Sequence, residues 1–117
     1  MTQKSESRLV AKIVMGLEYE VGGWWVKIHG GPYQRAGLPD LIGCVKGLFF
    51  GLEVKLPRED YDALQLYEAE KIERLGHGIA ACVHTPEEAL TVVRQALSRA
   101  GKGCRVRLVS TRNRTVL

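Results

Sequence analysis

Asp40, Glu53 and Lys55 have the types and spacing to manage a divalent cation. Leu48, Phe50, Leu52 and Val54 alternate with Gly51, Glu53 and Lys55. A strand here carries one apolar face and puts Glu53 and Lys55 together on the other. Glu and Lys are poor strand formers. At the end of an apolar strand they are either a solvent-facing pair worth little energetically or part of a site. Asp40 opens the preceding strand-like segment, directly after Gly37-Leu38-Pro39. Lys46-Gly47 is the only spacer between the two segments, so a tight hairpin is expected, with Asp40 near Val54 to within about two residues. Two carboxylates and an ammonium at one strand end suit a hard cation such as Mg²⁺ with a positive charge beside it.

A third acid could come from the first helix. Leu9, Val10, Ile13, Val14, Leu17 and Val21 recur at helical spacing, and Glu6 projects near the centre of that stripe. A carboxylate there is costly unless paired or metal-bound; a place in the first turn, favoured by the helix dipole, is the other reading. Glu20 also falls near the stripe and is the rival third acid, with easier escape to solvent at the helix end. Gln65 lies at the margin of a later helical stripe formed by Leu64, Tyr67, Glu68, Ile72 and Leu75. Its amide could reach a carboxylate, a lysine or a phosphate, or be an ordinary boundary group.

The elements that must position these residues follow from pattern. A helix is expected over 5–21, ended by Gly22-Gly23. Strands are expected over 24–29, 40–46 and 48–56, with a glycine-rich loop over 30–37. Pro57 stops the third strand. A helix over 60–75 and a short apolar strand over 78–84 come next. Thr85-Pro86-Glu87-Glu88 reads as a capping box opening a helix that runs to about Arg99. A further strand is expected over 104–109. The order α-β-β-β-α-β-α describes an α/β protein with a mixed sheet flanked by helices.

The chain's 117 residues, 45% hydrophobic and 26% charged, suit one globular domain. No apolar run approaches the roughly 20 residues that span a bilayer. The N-terminus lacks a hydrophobic signal core, so a cytoplasmic location is expected. Cys44, Cys82 and Cys104 are far apart, which argues against disulfides and zinc and for small buried residues. His29, His77 and His84 stand singly and read as structural or phosphate-facing. Six of the 17 basic residues lie from Arg99 onward, beyond the last acid, Glu88, leaving 11 against 13 acidic residues in the body. The basic end is thus 102–117, after a domain over 1–101. Such a segment can meet phosphates through counterion release or simply be solvated. Tyr33, Gln34 and Arg35, in the loop before Asp40, are candidates for phosphate or base-stacking contacts. Lys27 and Lys46 could extend that track.

Pro39-Asp40, then twelve residues, then Glu53-Val54-Lys55 resembles the PD-(D/E)xK nuclease signature. The fuller string resembles the VRR-NUC family of that superfamily, especially its small stand-alone phage-type members. It comprises Ser5-Glu6, Trp25-Val26-Lys27-Ile28-His29, the loop from Gly31-Pro32-Tyr33 to Asp40, Glu53-Val54-Lys55, Gln65 and the closing strand-helix unit. The resemblance covers about residues 5–98 and implies a restriction-endonuclease-like core and a Mg²⁺-dependent nuclease, with Mn²⁺ able to substitute. It implies that Glu6, Asp40 and Glu53 are acidic metal ligands, the Val54 carbonyl a main-chain ligand, Lys55 the catalytic lysine and Gln65 the helix glutamine near it. It further implies a homodimer, often by strand exchange, acting on branched DNA. A Holliday-junction-resolving endonuclease is the leading expectation. A flap or nicking nuclease of the same family is the alternative, and a non-catalytic DNA-binding module is the rival of another class.

Overall fold

The β2–β3 hairpin is the centre of the architecture, a computed structural model that describes residues 3–101. Seven elements follow in the expected order: α1 (Gln3–Glu20), β1 (Trp24–Lys27), β2 (Leu41–Val45), β3 (Leu48–Val54), α2 (Ala63–Arg74), β4 (Ile79–Val83) and α3 (Pro86–Gly101). Lys46 and Gly47 have φ of 51° and 85°, as a two-residue turn of type I′ requires. This turn sets Leu41 opposite Leu52 and Val45 opposite Leu48. The register is one residue from the expected one, and its continuation sets Asp40 against Glu53 rather than Val54.

The sheet order is β1-β2-β3-β4. β1, β2 and β3 are antiparallel neighbours, and β4 joins β3 in parallel through the α2 crossover. One face of the sheet buries Leu41, Val45, Phe50, Leu52 and Val54 against Val10, Ile13 and Leu17 of α1 and Val92, Val93 and Ala96 of α3. Trp25 belongs to this core. Its ring packs 5.7 Å from Phe50, centroid to centroid, and a Cβ on Gly43 would collide with it. The indole Nε1 donates to the Gly22 carbonyl at 2.8 Å, so the buried N–H is satisfied.

The other face is covered by α2 over β3 and β4. Gly51 permits the contact: a Cβ there would lie 2.9 Å from both Ile72 Cδ1 and Pro39 Cγ. The expected stripe on α2 holds at Glu68 and Ile72 and fails at its other three positions. The helix turns Glu68, Ala69 and Glu73 inward, while Leu64, Tyr67 and Leu75 are 57–63% exposed. α2 leaves Trp24, Cys44 and Phe49 exposed on the same face, so Cys44 departs from the expected burial while Cys82 keeps to it.

At the start of α3, Thr85 Oγ1 accepts from the Glu88 N–H at 3.0 Å. Glu88 Oε1 accepts from the His84 N–H at 3.1 Å and meets His84 Nδ1 at 2.9 Å. His84 Nε2 lies 2.7 Å from the Glu59 carbonyl, which gives this buried histidine the structural role expected. No helix among the described residues is long and apolar enough to cross a membrane. The expected strand over 104–109, Cys104 and the basic segment over 102–117 lie outside the described residues.

Candidate active site

Asp40 is fixed from two sides. Its carbonyl accepts from the Ile28 N–H at 2.8 Å, which extends the β1–β2 pairing by one step. Its side-chain Oδ2 accepts from the Val54 N–H at 2.9 Å. β2 begins one residue later, so the carboxylate takes the place of a ladder acceptor that the strand does not supply. A strand residue's N–H and C=O lie along the same edge, so the Val54 carbonyl also looks toward Asp40. Pro39, buried over Gly51, anchors the turn into this position.

Glu53 is 3% exposed. Burial pushes its carboxyl up to about 10, helped by hydrogen bonding and charge repulsion from Asp40 and, more weakly, by Asp62; the Lys55 cation acts in the opposite sense. Glu53 Oε2 is buried without a hydrogen-bond partner among the described residues. Lys55 is half-buried, and its N–H donates to the Val83 carbonyl at 3.0 Å, which carries the β3–β4 pairing one residue past the strand. An orphaned, desolvated carboxylate oxygen next to a second carboxylate is an unstable arrangement for anions alone. A hard divalent cation with waters completing its shell fits this all-oxygen donor set.

Glu6 does not close on the pair as expected. Among the described residues no three His, Cys, Asp or Glu side chains come near enough to ligate one ion. Glu6 and Asp40 instead line a common cavity of about 220 Å³, together with Lys27 and His29. The two acids thus share one basin. Glu20, the rival, is paired with Arg94 at 2.9 Å. It lies about 21 Å from Glu6 along α1 at ~1.5 Å per residue, which removes it from this basin.

Gln65 is also placed differently from the expectation. Its Oε1 accepts from the Asp62 N–H and its own N–H donates to Asp62 Oδ1, both at 2.9 Å. The amide oxygen is thus committed to a capping box at the start of α2, a use that outcompetes reaching for the carboxylates or Lys55. Lys46 sits in the hairpin turn at the far end of the sheet, about 20 Å from Asp40 at ~3.4 Å per strand residue, so it is not part of a track past this site. Lys27 does belong here: it lines the Glu6–Asp40 cavity and its Nζ donates to Ser7 Oγ at 3.3 Å.

The loop residues divide their roles. Arg35 pairs with buried Glu68 at 2.7 Å while its own side chain stays 63% exposed, so it pins the loop to α2 and still presents a cation. Gly37 has φ of 88°, and a Cβ there would lie 2.6 Å from the Leu64 carbonyl oxygen; this second anchor admits only glycine. Gln34 and Tyr33 are exposed. A second cavity, of about 300 Å³, runs beneath this loop from Gly31 and Arg35 to Asp40.

Sequence reasoning missed Tyr61. Its hydroxyl is buried without a partner among the described residues, and burial with the nearby Cys82 thiol and Glu53 keeps the phenol protonated. Nothing in the local pattern of Asp60-Tyr61-Asp62 signals that neighbourhood, because the crossover geometry creates it.

No family model and no curated protein matches the chain. Among solved structures it is similar to one described as a VRR_NUC domain, at 24% identity and a TM-score of 0.62, over 76% of this chain and 94% of that one. It is also similar to Hjc of Archaeoglobus fulgidus, a Holliday junction resolvase from an archaeal hyperthermophile, at 16% identity and a TM-score of 0.54, over 68% of this chain and 67% of that one. The chain therefore has the α/β nuclease-like fold of a VRR_NUC domain, as the resemblance in its sequence led one to expect.

Proposed function

We propose that the protein is a divalent-metal-dependent endonuclease that cuts branched DNA, with the four-way Holliday junction as its substrate. The observation that carries this reading is the buried Glu53 oxygen without a donor among the described residues, beside the carboxylate of Asp40, which itself lines a cavity. The resolvase with the same fold supports the junction as substrate. Asp40, Glu53 and the Val54 carbonyl would hold Mg²⁺, or Mn²⁺ in its place, with Glu6 acting from across the basin. When bound, such an ion supplies Lewis acidity and a water of lowered pKa. The chain's own groups do the rest. The Val54 N–H keeps Asp40 in one orientation. Lys55 orients the attacking water and meets the charge that grows on the phosphate. Lys27 and Arg35 hold flanking phosphates.

The test is incubation with four-way, flap and linear duplex DNA, in Mg²⁺ and in chelator. Mg²⁺-dependent cutting of the junction in preference to the linear duplex is expected. Binding without cutting would favour the second reading, a non-catalytic DNA-binding module, to which the lack of a three-acid cluster among the described residues lends weight. A junction of two-fold symmetry is cut on two strands by two sites, and one chain holds one Asp40–Glu53 pair. We therefore take the working form to be a homodimer, with the uncovered sheet face around Trp24 and Phe49 buried between copies. Sedimentation at micromolar concentration should give twice the 13.0 kDa chain mass, and Trp24→Asp with Phe49→Asp should return it to a monomer. A parent protein that sediments as a monomer would refute the dimer.

A further inference from the structure

Tyr33 stands wholly in solvent, 100% exposed, on a loop that is otherwise tied down. The Gln34 N–H donates to the Gly31 carbonyl at 3.0 Å, Arg35 is paired with Glu68 at 2.7 Å, and Gly37 is pressed against the backbone of α2. The ring therefore has a fixed base but no protein surface of its own to cover. It is itself one wall of a shallow, open depression of about 320 Å³ that His29, Gly31, Pro32 and Gln34 complete. His29 also lines the Glu6–Asp40 basin, and Gly31 and Gln34 also line the cavity that reaches Asp40. The ring thus stands beside surface hollows that share His29, Gly31 and Gln34, two of which reach Asp40.

An aromatic ring offers DNA a face for stacking rather than a cation for phosphate. In continuous duplex both faces of every base pair are covered by neighbours. Only where the stack is interrupted can a ring at a loop tip reach a base face. We propose that Tyr33 stacks on the base pair exposed at a DNA branch point, so that the loop over 28–40, rather than the carboxylates, selects branched over continuous DNA. This rests on the nuclease reading above and names the feature of the substrate that is recognised.

The experiment uses the full chain, its Tyr33→Ala variant and its Tyr33→Phe variant. The DNAs are a four-way junction with 2-aminopurine at the branch point and a covalently closed relaxed circle as continuous duplex. Binding is measured in chelator and cutting in Mg²⁺. Tyr33→Ala should weaken junction binding about tenfold, leave binding to the circle unchanged within about twofold, and lose the quenching of 2-aminopurine that the parent shows. Tyr33→Phe should restore both. Because Tyr33 packs on nothing, the fold of either variant should match the parent. If Tyr33→Ala weakens binding to both DNAs alike, or to neither, the stacking role is overturned while the nuclease reading stands. A parent protein that neither binds nor cuts the junction overturns both.

Discussion

Replacing Glu53 by glutamine is expected to reduce cleavage by about a thousandfold or more and, in cation-free protein, to make the fold more stable above pH 5. Both effects come from one feature. Glu53 is buried beside Asp40, and its carboxyl is raised from 4.5 to about 10. The folded chain thus holds this proton more tightly than the unfolded chain. Stability from this group is fully present below about pH 4.5 and is lost as the pH rises through about 10. Glutamine copies the protonated form at every pH. Thermal melts in chelator should coincide for parent and variant at pH 4 and diverge steadily toward pH 9, with the variant higher. For a domain of this size each ~1 kcal/mol corresponds to about 4–8 °C, so the divergence is readily measured. Mg²⁺ should raise the parent's melting temperature at pH 8 and leave the variant's nearly unchanged. Melts that stay parallel across the range would remove Glu53 from the site. The pattern is a trade of stability for function at a single side chain.

Lys55→Ala should lower the single-turnover rate on a four-way junction by about 10²–10⁴-fold and change junction binding little. The main-chain bond from Lys55 to Val83 survives the substitution, so the β3–β4 register should be kept. The loss has two parts with the same sign. The ammonium that orients water and meets charge on the phosphate is gone. The cation that favours ionised Glu53 is gone as well, so the carboxyl holds its proton still more firmly. Lys55→Arg should rescue poorly, because a planar guanidinium cannot reproduce the point charge and donor geometry of an ammonium. A loss under about fivefold for Lys55→Ala would leave no place for the lysine in the chemistry.

Much of the hairpin site was legible because period-two alternation and a two-residue turn leave little freedom. Leu48 to Val54 alternate cleanly, and Lys46-Gly47 can hardly be anything but a turn. The register slipped by one only because the turn consumes both Lys46 and Gly47, pairing Val45 with Leu48. α2 was misread for a different reason. Its inward face carries Glu73 beside the expected Glu68, Leu64, Tyr67 and Leu75 face outward, and a rule that puts apolar residues inside fails where Arg35 comes from a distant loop to meet Glu68. Gln65 looked like a reaching amide because the spacing Asp62-x-x-Gln65 of a capping box went unread. Glu6 was placed on the correct stripe, yet the tilt and height of α1 over the sheet decide how near it comes to Asp40, and no local pattern encodes them. Lys46 needed only the strand length to be set aside.

The most direct measurement is a calorimetric titration of Mn²⁺ into the parent protein at pH 8, repeated in two buffers of different ionisation heat. Glu53 keeps its proton up to about 10 in the cation-free fold, so binding at the pair must displace it. The expected result is saturable binding with release of about one proton per chain, both abolished by Asp40→Asn and by Glu53→Gln. Absence of binding, or binding without proton release that neither substitution disturbs, would contradict a cation site built on Asp40 and Glu53.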